Sequence, residues 1–307
     1  MEGLIVNSSL IKHLFFKGNE RIVCPHYVKC VYIDKSIVSP QSESMLFGSY
    51  FETLAIGSGA RGNKTFDLPR KQLTDKQEAA NRISTSKGNP PIYYGEKTIN
   101  QIRIETQASE FKRLCAKYQI TIAPPFNTQV LIYKRWDDNV LLSGELDIFP
   151  TLVLGTVPKL CVVDLKLTAD LNSTFGEFAW GDFDSMDNIQ GLMYQYLVRD
   201  IDFDLNSQMG NDNLFELVSP TIQKIIDDNE LKFLFWVFDY KKPVDKLGNK
   251  FFPVNYDSNA ECELKETIRK TVSLIDTFES SGWQRKVCKT CEKCPIECSL
   301  KSNTYAE

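Results

Sequence analysis

Residues 144–168 constrain this chain most: GELDIFP, a short connector, then KLCVVDLKLT. The pattern predicts two strands bounded by Pro150 and Pro158, the second rich in β-branched and apolar residues. Side chains alternate along a strand, so Val162, Asp164 and Lys166 share one face while Val163, Leu165 and Leu167 share the other. An acid and a lysine are thus presented together from a segment apolar enough to be buried, and a buried charge is costly unless it is paired or bound to metal. Asp147 is expected at the end of the preceding strand, where a second carboxylate comes within reach. Two carboxylates and a lysine suit a Mg²⁺ site for phosphodiester hydrolysis, with oxygens holding the hard cation and the lysine meeting the developing charge. A structural Asp–Lys ion pair on a strand gives the same D-x-K pattern, and from that segment alone it is the stronger reading.

The surrounding chain is that of an ordinary soluble globular protein. At 307 residues, 42% hydrophobic and 25% charged, it is long enough for a substantial core. No apolar run reaches membrane-spanning length, and residues 1–9 lack a basic stretch followed by a hydrophobic one. A cytoplasmic location is expected, or the host cytoplasm for a phage-encoded chain. The net charge of −4 argues against a generic basic nucleic-acid coat, while leaving room for a local basic groove. Only His13 and His26 are present, which disfavours a Ser-His-Asp mechanism or a multi-histidine zinc site.

Taken in order, residues 8–16 predict a short helix capped by Ser8 or Ser9. An apolar-aromatic segment opens at Cys24-Pro25, followed by an amphipathic run over 42–57 in which Met45, Phe51 and Leu54 can face a core. Glu52 lies in that run and, alone, reads as a solvent-facing charge. Residues 57–92 form a polar, locally basic insertion with a helix near 74–83, either solvated or shaped around a partner. A long helix over 97–118 takes Ile99, Ile102, Phe111, Leu114 and Cys115 as core candidates. Strands near 128–133 and 140–149 then lead as an antiparallel meander into the central pair. After the aromatic and acidic loop that follows Thr168, a helix over 186–199 carries an apolar stripe of Ile189, Leu192, Met193, Tyr196 and Leu197. Gln190 and Tyr194, four apart, stack on an adjacent stripe as a substrate-contacting or merely helix-edge pair. A polar excursion at 202–214, a helix at 220–228, an apolar strand at 231–240 and a last helix over 259–279 complete the chain.

That helix delivers CKTCEKCPIEC, in which Cys288, Cys291, Cys294 and Cys298 are spaced x2, x2, x3. Four cysteines in so short a span, without a secretory signal, read as metal ligands before disulfides. The spacing is that of the bacterial iron–sulfur run, with Ser299 where its proline usually stands, and tetrahedral zinc would use the same thiolates. Cys115, Cys161 and Cys262 fit better as buried thiols.

Together these pieces resemble the RecB-like branch of the PD-(D/E)XK nucleases, the iron–sulfur subgroup that includes AddB and the CRISPR-adaptation exonucleases. The motifs fall in order: G-x-x-x-E at Gly48 and Glu52, G-x-x-D at Gly144 and Asp147, D-x-K at Asp164 and Lys166, and Q-x-x-x-Y at Gln190 and Tyr194. Cys24-Pro25 and the C-terminal cysteines match the subgroup's cluster arrangement. The chain departs in having Glu52 where many relatives have histidine, and in carrying four C-terminal cysteines at unusual spacing.

The resemblance implies one α/β nuclease domain over residues 1–307, of restriction-endonuclease-like fold: a central mixed sheet flanked by helices, with a cysteine cluster at 284–301 tied to the segment around Cys24. It implies that Glu52, Asp147, Asp164 and the Leu165 carbonyl bind Mg²⁺ or Mn²⁺, that Lys166 orients or activates water and stabilises charge, and that Gln190 and Tyr194 position DNA or Lys166. A 4Fe-4S cluster would use Cys24, Cys288, Cys291 and either Cys294 or Cys298, acting as a structural cross-link between the chain ends. DNA is the implied substrate and end-dependent exonuclease activity the implied reaction, in recombination, repair or end processing, with partner proteins or a homo-oligomer loading the DNA. The rival readings are a non-catalytic DNA-binding or scaffold module and a zinc-stabilised endonuclease.

Overall fold

The computed structural model describes residues 3–38, 41–57, 66, 68, 72–88, 95–124, 126–153, 159–228 and 230–286. Cys288, Cys291, Cys294, Cys298 and much of the 57–92 insertion lie outside the described residues.

The chain opens with a strand that the sequence pattern did not reveal, β1 (Leu4–Asn7), running directly into α1 (Ser8–Leu14). Asn7, rather than either serine, caps that helix by accepting from the Leu10 N–H. The helix ends two residues early because Phe15–Phe16 form β2, which pairs with β3 (Asn19–Glu20). Lys17 and Gly18 between them both have positive φ, at 49° and 74°, the geometry of a tight type I′ hairpin. Pro25 then starts α2 (Pro25–Val28), which has Cys24 at its N-cap and continues as a π-helical turn over Lys29–Ile33.

Three capped helices follow: α3 (Glu43–Ile56) on Ser42, α4 (Asp75–Ser86) on a Thr74–Gln77 capping box, and α5 (Ile99–Tyr118) on Thr98. In α3 the buried stripe is Phe47, Phe51 and Ala55, and in α5 it is Ile104, Ala108, Phe111 and Cys115. Met45, Ile99 and Ile102, expected in the core, fall off those stripes and are 53%, 51% and 42% exposed.

The sheet comprises β1, β4 (Thr128–Arg135), β5 (Val140–Val153), β6 (Lys159–Thr168), β7 (Lys232–Asp239) and β8 (Asn249–Val254). The meander β4–β5–β6 is antiparallel as expected, while β1–β5 and β6–β7 are parallel, so the sheet is mixed. Strand β5 does not stop at Pro150. Its register shifts between Ile148 and Thr151, and a bulge tolerates a residue without an N–H, so the strand continues to Val153. Asp147 therefore sits inside a long strand rather than at its end.

Beyond β6 the helices are α6 (Ile189–Leu197), α7 (Phe203–Gln208), α8 (Leu214–Leu217), α9 (Pro220–Asp227) and α10 (Ser258–Ser280). The polar excursion expected at 202–214 is thus two short helices with a purpose. Asn206, fully buried, accepts from the Tyr133 N–H and donates to the Tyr133 carbonyl, both at 2.8 Å, and so closes the outer edge of β4 as another strand would.

Alternation along β6 separates two cores, one on each face of the sheet. Val162 belongs to the core shared with α1, α6 and α10, whereas Cys161, Val163 and Leu165 belong to the core under α3 and α5. In the first, α6 packs unusually close. A Cβ on Gly191 would come within 2.9 Å of Phe233, and one on Gly144 would lie 2.5 Å from Leu197 Cδ1 and 2.9 Å from the Tyr194 ring. Among the described residues no helix is long and apolar enough to cross a membrane.

The two motif glycines differ accordingly. Gly144→Ala is expected to destabilise the protein by about 1–3 kcal/mol through overpacking. At Gly48, where nothing lies within 4 Å, alanine should stabilise α3 by about 0.5–1 kcal/mol. Denaturant unfolding of both variants checks the pair, and equal losses would contradict the packing described.

Candidate active site

The site arises where strand β5 changes partners. Its residues 140–143 pair with β1, and its residues from Ile148 to Val153 pair with β6. Ile148 also pairs with Thr128 and 141–143 with β4, so β1 and β6 share the other edge of β5, end to end. Between them, residues 144–147 have no ladder partner on that edge among these pairings. Asp147 fills part of the gap: its Oδ2 accepts the Leu165 N–H at 2.7 Å, a bond that a backbone carbonyl would otherwise supply.

Past Val163, β6 pairs only with β7, and there it presents Asp164 and Lys166 on the α6 face. Asp164 is 1% exposed. Lys166 forms an ion pair with Asp164 Oδ2, and its ammonium lies 5.7 Å from the centre of the Phe235 ring. The close approach of α6 brings Gln190 onto that carboxylate, with Tyr194 behind the amide. Gln190 Nε2 donates to Asp164 Oδ1 at 2.9 Å and to the Tyr194 hydroxyl at 3.1 Å. D-x-K and Q-x-x-x-Y, separate in sequence, are one hydrogen-bonded unit.

Glu52 reaches the site from α3, where its Oε1 accepts from Gln129 Nε2 at 2.5 Å. It is not the solvent-facing charge suggested by its own segment. Two further residues join that the sequence patterns did not single out. Gln129 lies in β4 with φ of 53°, a left-handed conformation costing about 1–2 kcal/mol for a side-chain-bearing residue, and its amide holds Glu52. Lys12 enters from α1, whose position is set by β1, and donates to Gln190 Oε1 at 3.0 Å. Nothing in a period-3.6 pattern marks Lys12, because its function is set by a strand pairing some 130 residues distant in sequence.

The electrostatics follow from crowding acids in a place with little water. Burial, reinforced by Asp164 and Glu52, pushes the Asp147 carboxyl well above the ordinary carboxylate range. Burial also raises Asp164, against the opposing pull of Lys166. For Lys166 burial acts downward, but Asp164 and Asp147 outweigh it, so the ammonium is held more firmly than usual. Burial, with both aspartates, raises the Tyr194 phenol well above its usual value and keeps it protonated. Lys12 is lowered by burial and by Lys166.

Asp147, Asp164 and Glu52 carry the carboxylate oxygens that a hard divalent cation would take as ligands. Each is presently held by a protein donor, and among the described residues no three His, Cys, Asp or Glu side chains converge as a ready-made metal group. A groove of about 870 Å³ lies elsewhere, between Phe15, Asp184, Asn188, Phe252, Glu263 and Lys270, and none of the residues above lines it. Near the N-terminal segment, Arg285 Nη2 lies 3.5 Å from His26 Nε2, so the chain just before Cys288 returns to the helix that Cys24 caps.

An acid whose folded-state pKa is raised binds its proton more tightly folded than unfolded, so it lowers stability once pH rises above the unfolded carboxylate value of about 4. Asp147→Asn retains an acceptor for the Leu165 N–H and removes the charge. In EDTA it should therefore melt a few degrees higher than the parent at pH 7, with the advantage shrinking towards pH 4. A melting temperature lower at pH 7 than the parent's would contradict this.

No family model matches the chain, and no curated protein matches it. Among solved structures it is similar to a protein of Eubacterium rectale described as a candidate exonuclease, with 17% identity and a TM-score of 0.52. That match covers 98% of this chain and 93% of the other. The structure of SSO0001 is more distant, with 11% identity and a TM-score of 0.35 over 98% of this chain and 88% of that one. Over nearly its whole length, then, the chain has the fold of the candidate exonuclease from Eubacterium rectale.

Proposed function

We propose that this chain is a Mg²⁺- or Mn²⁺-dependent DNA nuclease of the RecB-like PD-(D/E)XK type, acting on DNA ends as an exonuclease in recombination, repair or end processing. The observation that carries the reading is the meeting of Asp164, Lys166, Gln190 and Tyr194 in one hydrogen-bonded unit beside Asp147, at a break in the sheet. A structural ion pair alone requires neither the second buried acid nor a helix seated on glycines to deliver an amide and a phenol.

The residues divide the work by their charge states. Glu52, Asp147 and Asp164, with the Leu165 carbonyl, would hold the divalent cation, which when bound supplies Lewis-acid activation of water and neutralises phosphate charge. Lys166, kept cationic by its acidic neighbours, is suited to stabilising negative charge on the phosphodiester and to orienting water by hydrogen bonding. It is poorly suited to removing a proton, because its raised pKa leaves little free amine. The Gln190 amide fixes the Asp164 carboxylate and is itself braced by the Tyr194 hydroxyl, while Gln129 fixes Glu52. Asp164→Ala and Lys166→Ala should each reduce Mg²⁺-dependent degradation of linear DNA at least about 100-fold while leaving circular dichroism unchanged. Covalently closed circles should be spared by the parent. Full activity in either variant would sink the assignment, and equal rates on circles and linear DNA would favour an endonuclease.

We further propose that Cys24, Cys288, Cys291 and one of Cys294 and Cys298 hold a 4Fe-4S cluster joining the chain ends. The Arg285–His26 approach supports it by bringing position 285 to within one short helix of Cys24. Ligation exists only in the folded state, so Cys24→Ser should lose iron and sulfide and melt lower than Cys30→Ser. Iron retained in Cys24→Ser and lost in Cys298→Ser would overturn the ligand set, and zinc in place of iron and sulfide would replace the cluster with a zinc site.

A further inference from the structure

Lys12 and Arg21 meet at one carboxylate. Lys12 Nζ lies 3.8 Å from Glu177 Oε1, and Arg21 Nη2 lies 3.7 Å from Glu177 Oε2. Each cation therefore faces a different oxygen, an arrangement in which a carboxylate stands where two non-bridging oxygens of a phosphodiester would fit. Both contacts are longer than the roughly 2.7–2.9 Å of a close charge-assisted hydrogen bond, so the space between the cations is wider than the carboxylate fills. The cations are held independently of Glu177. The Arg21 N–H donates to the Leu14 carbonyl at 2.8 Å just after the β2–β3 hairpin, and its guanidinium lies 5.3 Å from the centre of the Phe16 ring. Lys12 is fixed by its bond to Gln190 and lies 5.5 Å from the centre of the Phe178 ring.

Glu177, by contrast, comes from the connection between β6 and α6 and forms ion pairs with these two cations. The Lys12 contact places the cluster one amide from the carboxylate of Asp164. Arg21 is 38% exposed and Glu177 27%, so a ligand can reach the cluster from the Arg21 side, while Lys12 lies deeper at 16%.

We propose that Lys12 and Arg21 form a subsite for a non-scissile backbone phosphate of DNA next to the catalytic centre, and that Glu177 occupies it until the phosphate displaces the carboxylate. The subsite rests on the nuclease reading for its substrate, but binding tests it without turnover. Because Lys12 also holds Gln190, a phosphate seated there fixes the amide that orients Asp164, so correct placement of the strand and alignment of the acid occur together.

The experiment is fluorescence anisotropy of a short labelled DNA oligonucleotide in EDTA, across a salt series. Arg21→Met should weaken binding severalfold and reduce the slope of log affinity against log salt by about 0.7, the value for one phosphate contact on a single strand. Glu177→Gln should tighten binding severalfold at low salt, and that gain should largely vanish in the Arg21→Met/Glu177→Gln double variant. Both positions are partly exposed, and circular dichroism verifies that the variants fold. An unchanged salt slope in Arg21→Met, or no gain in Glu177→Gln, would show a purely structural ion-pair cluster and overturn the subsite. So would the absence of DNA binding by the parent. Binding changes of the expected sign in a chain without Mg²⁺-dependent cleavage would uphold the subsite while removing the nuclease reading.

Discussion

One edge of β5 has to serve two strands, and the remainder of the site depends on that sharing. Strand β1 takes the first residues of the edge and β6 the last, which leaves an interval where backbone groups need partners other than a ladder. A side-chain carboxylate meets one of those needs at the Leu165 N–H. The same interruption frees the end of β6 to present charge, and it allows α1, continuous with β1, to point a lysine towards the opening. A regular six-stranded ladder would have buried these groups or turned them outward.

The arrangement carries an internal tension. Burial disfavours the ionised forms of Asp147 and Asp164, and neighbouring carboxylates add to that cost, while one firmly held lysine offsets only part of it. A sequence selected for stability alone would put an amide or an apolar residue at one of these positions. On the proposed nuclease reading, positive charge arriving with a cation would relieve that repulsion, at the expense of stability without it. The left-handed backbone of Gln129, whose amide holds Glu52, is a second local cost of the same kind.

Much of this was legible in the sequence because it is local. The alternation that puts Asp164 and Lys166 on one face, the four-residue spacing of Gln190 and Tyr194, and the antiparallel meander all hold in the structure. What the pattern missed is non-local. Four residues of β1 carry too short an apolar run to announce a strand, and they become one only by pairing with Val140 and its neighbours. Strand β8 likewise contains Pro253, a residue that argues against a strand until the pairing with β7 is known. Gln129 and Lys12 gain their roles from distances in space, and Asn206 reads as loop composition although it substitutes for a strand. Helix faces were misjudged where an apolar residue happened to lie off the stripe, as for Ile99 and Ile102.

The parallel pairing of β1 also orders events during synthesis. Leu4 is synthesised 136 residues before its partner Val140. At about 5–20 residues per second β1 waits on the order of ten seconds unpaired, with the apolar face of α1 uncovered. Strand β6 waits similarly for β7, some 70 residues later. Such long-range parallel contacts make the chain a slow folder, exposed to chaperones and to self-association while it emerges. The residue pairs that open the site are among those that cannot form until much of the chain has been made.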